Sequence, residues 1–108
     1  MTQYDPTDTH DQERARRESD ERQQRARQLE EDDLRWLMSD KRGRRIVWRW
    51  LESAGVWRLS FDPNALAMAF NEGSRNQGLH LLTLLLATCP ALYNTMMEET
   101  HDDRNVDH

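Results

Sequence analysis

Residues 39–57 read SDKRGRRIVWRWLESAGVW, and they place five cations and three tryptophans in nineteen residues of a chain whose net charge is −5. Such a stretch is either a grip on nucleic acid or one amphipathic helix. Helical geometry separates the two. At about 100° per residue, Ile46, Val47, Trp50, Leu51 and Ala54 fall within a stripe about 140° wide. Lys41, Arg42, Arg45 and Arg49 gather on the opposite side, with Trp48 at the boundary. Ser39 and Asp40 precede the helix as caps, and Gly55 follows it as a left-handed stop. The cationic run is therefore the solvent face of a helix, and Trp50 is expected in its core.

Working outward toward the N-terminus, the apolar pattern begins at Leu29 and strengthens through Leu34, Trp36, Leu37 and Met38. Before it lies DQERARRESDERQQRARQLEEDD, residues 11–33, which contains no glycine or proline. Glu13 with Arg17, Glu18 with Arg22 and Glu21 with Arg25 stand four apart in the orientation that supports an isolated helix. No heptad of apolar residues accompanies them, so a coiled coil is not expected. The segment reads as a solvated helix, or as an arm that orders against a partner.

Toward the C-terminus, VWRLSF at 56–61 is a short connector with Trp57, Leu59 and Phe61 as anchors. Asp62 and Pro63 form a helix start, cap followed by proline. The helical pattern then runs from Ala65 through Leu66, Met68, Phe70, Leu79, Leu82 and Leu85 to Ala87. Gly73 and Gly78 weaken this helix, and a close helix–helix approach is the expected compensation. Cys89-Pro90 ends it and begins a last helix, with Leu92, Tyr93, Met96 and Met97 on its apolar side. The tail HDDRNVDH reads as polar and frayed. No strand pattern or repeat is present. The fold class is all-α: a helical domain of about four helices over residues 31–100, a long charged N-terminal helical arm over 1–30, and an acidic polar tail over 101–108.

Charge is segregated along this plan. Residues 1–30 carry six cations against eight acids, residues 31–60 seven against five, and residues 61–108 two against seven. The acidic total favours solubility, while the middle third keeps a local basic patch. The single cysteine, Cys89, excludes an intrachain disulfide and a thiolate metal cluster. MTQYDPTDTH lacks the apolar run of a signal peptide, and LHLLTLLLATCPAL at 79–92 is too short and interrupted to span a bilayer. The expectation is a soluble protein made in the cytoplasm, without a membrane-spanning segment.

Candidate sites follow from these elements. Lys41, Arg42, Arg45 and Arg49, with Trp48 as a stacking surface, suit nucleic acid or an acidic partner. The competing reading is a solvated face paired with the acidic parts of the chain. Trp36 and Trp57 are candidates for a protein interface, since a core of this size does not hide four tryptophans easily. In FNEGSRNQG, residues 70–78, Glu72, Arg75 and Asn76 are expected to form a structural polar network with Arg44. A catalytic reading of Glu72 lacks a second carboxylate or a histidine, because His80 lies on another face. His10, His80, His101 and His108 have no metal-ligand spacing, and no histidine is placed to activate Cys89. No catalytic, cofactor or metal site is expected.

Across residues 32–99, DLRWLMSD, then RGRR followed by Trp48, AGV with Phe61, FNEGxRNxG and CPxLY together resemble a family of small helical domains. These are encoded among the structural and morphogenesis genes of short-tailed bacteriophages, and a Bordetella podophage protein typifies them. Lys41 stands where some relatives place proline. The resemblance implies a non-enzymatic virion or morphogenesis component, located in the virion, with other phage virion proteins as partners. It supplies no functional residues to transfer. The roles it leaves open are a minor protein near the portal and tail, an internal protein ejected with the genome, and a capsid decoration. A homo-oligomer suits a protein repeated around a symmetric particle. Two other classes remain: a nucleic-acid-binding protein using the second helix, and a small regulator that binds a host protein through its tryptophans.

Overall fold

A computed structural model describes residues 6–106 as four helices, with no strand among them. They are α1 (Pro6–Met38), α2 (Lys41–Ala54), α3 (Ala65–Thr88) and α4 (Pro90–Val106). The chain divides into two compact units, Met1–Asp32 and Asp33–His108. In the first, no described residue is buried, as its composition requires. Its stability as a helix rests on local propensity and on pairs such as Gln28 to Asp32, whose side chains bond at 3.1 Å.

The second unit holds the core. Met38, Val47, Leu51, Leu85 and Met96 are fully buried, joined by Leu34, Val56 and Cys89. Within it α2 packs against α3 and α4, and α3 against α4. The boundaries of α2 follow the sequence reading. Asp40 caps its start by accepting from the Arg42 N–H at 2.8 Å, and Gly55 ends it at φ 80°. The cap of α3 is two residues later than expected. Asn64, not Asp62, accepts from the Leu66 and Ala67 N–H groups, at 2.9 and 3.1 Å. Asp62 instead accepts from Asn64 itself at 2.8 Å, which holds Pro63 in the turn before the helix.

Between α3 and α4 the chain bends by 119° through one residue, Cys89. Its N–H donates to Leu85 and its carbonyl accepts from Tyr93, so it closes one helix and opens the next. Pro90 begins α4 without an unpaired N–H. The segment read as a frayed tail is helical through Val106. No single helix among the described residues is long and apolar enough to cross a membrane.

Gly78 confirms the expected close approach. A methyl placed there would meet Val56 Cγ1 at 2.5 Å and Ala54 Cβ at 2.6 Å, so α3 lies against the end of α2. Gly73 does not: nothing lies within 4 Å of that position.

Candidate functional site

The RGRR block splits into two inward and two outward residues. Gly43 is buried, and a side chain on it would occupy the place of the Leu37 carbonyl. Here the end of α1 meets the start of α2. Arg44 is drawn inward too, with its side chain 11% exposed. Its Nη2 donates to Glu99 Oε1 on α4 at 2.7 Å, its Nε reaches both Glu99 oxygens at 3.1 Å, and its Nη1 donates to the Met38 carbonyl at 2.8 Å. One guanidinium thus joins α1, α2 and α4. The Glu99 hydrogen bond outweighs burial and raises the Arg44 pKa above its ordinary value.

This replaces the expected polar network. Arg44 pairs with Glu99 rather than Glu72; Glu72 is half-buried, Asn76 is exposed, and Arg75 is half-buried with no hydrogen bond to its Nε. The apolar stripe of α2 is corrected as well. Its buried line is Gly43, Val47 and Leu51, and Trp50 is 55% exposed. Packing of α4 on the Arg44 and Trp48 side turns the helix away from Trp50, which stands about 60° from Val47 on the far side.

Lys41, Arg42, Arg45 and Arg49 are all exposed, and none enters an ion pair with another described residue. Arg45 and Arg49 share a shallow depression with Glu52 and Asp103, so the field there is mixed in sign. Trp48 is engaged inside the protein. It stacks on Trp57 with ring centroids 4.6 Å apart, and Arg104 lies 5.4 Å over its ring. Arg104 also approaches Glu52 at 3.6 Å; both are more than half exposed, so this pair adds little. Together Trp48, Trp57 and Arg104 fasten the connector to α2 and α4. Trp57 remains 43% exposed and Trp36 76%, so two of the tryptophans keep surface available to a partner.

Further large apolar side chains are uncovered elsewhere. Leu59 is 92% exposed, Leu66 81%, Phe61 78% and Phe70 76%. Leu59 and Phe70 border one cavity, and Leu66 lies one turn before Phe70 on the same helical face. These residues were expected to serve as anchors and core. The signal against that lies in ALAMAF, residues 65–70: large side chains every second residue cannot form one helical stripe.

Among the described residues, no His, Cys, Asp or Glu cluster could hold a metal ion. Burial pushes the Cys89 thiol up, partly opposed by Arg35.

No curated protein and no solved structure matches the chain. A family profile described as Bbp19-like phage protein matches residues 34–98, which begin and end inside the second compact unit and exclude the charged part of α1. On that match over more than half its length, the chain belongs to the Bbp19-like phage protein family.

Proposed function

We propose that the protein is a non-enzymatic component of the phage virion, assembling as a homo-oligomer through its helical domain beside other virion proteins. A minor position near the portal and tail, or an internal position with ejection during genome release, fits it best. The observation that carries this reading is the apolar face of Leu59, Leu66 and Phe70, three large side chains each more than three-quarters exposed. A monomer in water rarely leaves such a face uncovered, and subunit contacts are its ordinary destination. Membership in a phage family supplies the setting.

Mass spectrometry of purified, nuclease-treated particles tests it, before and after triggered genome release. The protein is expected in the particles. Retention after release makes it a fixed part of shell or tail, and loss makes it an ejected protein. Absence from particles contradicts the reading. The four exposed cations of α2 that form no ion pair with a described residue favour a second reading, nucleic-acid binding in the infected cell. That reading requires salt-sensitive binding that falls when Arg45 and Arg49 are replaced by glutamate.

A further inference from the structure

Arg75 poses a problem that the fold leaves open. Its Nε is buried and has no hydrogen-bond partner. With Arg58 it lines a cavity of about 180 Å³ beside the C-terminus of α2, the connector and α3. Arg58 donates Nη2 to the Glu52 carbonyl at 2.8 Å, which fixes the guanidinium there, and its other donors bond no other described residue. Asn71 and Ser74 add polar groups, and no carboxylate lines the cavity. An unpaired buried donor is unfavourable, and two guanidiniums around one cavity suit a carboxylate. The border of the cavity is apolar, formed by the exposed Leu59 and Phe70. None of the basic-face cations of α2 lines it, which argues against a phosphate backbone as the ligand. The fitting ligand is an acidic side chain with a large apolar neighbour.

The chain carries such a pair on its own surface. Asp33 and Trp36 are exposed and stand three residues apart in α1, which makes them neighbours on one helical face. Asp33 has no hydrogen bond or ion pair with another described residue, and Trp36 is 76% exposed. We infer that the Asp33–Trp36 edge of one copy docks on the Arg58–Arg75 cavity of a second copy. The Asp33 carboxylate accepts from Arg75, and Trp36 packs on Leu59 and Phe70. The contact is head-to-tail, so it closes into a ring or continues as a filament. This rests on the homo-oligomeric reading above and names the surfaces that reading uses.

Light scattering on the full chain, across a concentration series, tests the contact with Asp33→Arg and Arg75→Glu. Each variant alone is expected to raise the assembly midpoint about tenfold or more, with the helical circular dichroism unchanged. An equimolar mixture of the two variants is expected to assemble again, because the reversed charges meet each other. Restoration in the mixture also shows that neither variant failed by unfolding. An oligomer whose midpoint is unmoved in both variants overturns this contact and leaves assembly through another surface standing. Loss in the single variants without restoration in the mixture overturns the Asp33–Arg75 pairing. A wild-type chain that remains monomeric throughout overturns both the contact and the homo-oligomeric reading.

Discussion

Replacing Gly43 by alanine is expected to destabilise the helical unit by about 3 kcal/mol or more, at the upper end of overpacking effects. For a unit of this size that corresponds to a fall in Tm of roughly 12–24 °C. On propensity alone the change should help, since alanine is the better helix former by about 1 kcal/mol. The sign reverses because the new methyl would coincide with a backbone carbonyl, that of Leu37. A flexible side chain could yield; a carbonyl at the end of α1 moves only if the α1–α2 corner opens. Gly73→Ala is the matched control. It lies in the interior of α3, whereas Gly43 lies in the first turn of α2, and it meets nothing within 4 Å, so it should raise stability by about 0.5–1 kcal/mol. Thermal unfolding of the two variants checks both signs, and equal effects would refute the corner geometry.

The second large effect is expected at Glu99. Glu99→Ala leaves the Arg44 guanidinium, 11% exposed, without its bidentate acceptor. Breaking a buried ion pair from one side costs about 3–5 kcal/mol; the 20% exposure of Glu99 lowers the expectation to about 2–3 kcal/mol. Arg44→Met with Glu99→Leu should recover most of that loss, because no charge is then left unpaired. Urea denaturation of the single and double variants measures the coupling. The pH dependence carries a definite sign. A guanidinium whose pKa is raised on folding contributes fully below its unfolded value and loses that contribution only as pH rises through the folded one. The Arg44 contribution is therefore flat across neutral pH.

These two positions show how far the sequence could be read. The helices were legible because their punctuation is local: Asp40, Gly55 and Cys89-Pro90 act through backbone groups a few residues away. The rotation of α2 was not legible. A stripe drawn from hydrophobicity includes Trp50 and excludes Gly43 and Arg44, whereas the end of α1 covers Gly43 and Glu99 on α4 draws Arg44 inward. Nothing within residues 39–57 announces that Glu99, 55 residues after Arg44, supplies the partner. The RGRR block therefore mixes two functions that composition cannot separate: Gly43 and Arg44 hold the corner, and Arg42 and Arg45 face water.

The candidate site was legible only as an excess of aromatic residues. Trp36 and Trp57 do keep exposed surface, but Trp57 is also bound into the stack with Trp48 and Arg104. By sequence Leu66 and Phe70 belong to a helical core pattern and Leu59 is an anchor of the connector, because large apolar residues are usually buried. The first half of α3 has too little chain against it to make that true. Its apolar residues stay exposed, and this is the physical reason for placing the proposed assembly contact there.

Hydroxyl-radical footprinting of intact phage particles against the isolated chain tests that placement most directly. Leu59, Phe61, Leu66 and Phe70 are each at least 76% exposed in the single chain, and oxidation is read at each of them. The account predicts strong protection of Leu59, Leu66 and Phe70 in the particle. Equal oxidation of these residues in particle and isolated chain would contradict it.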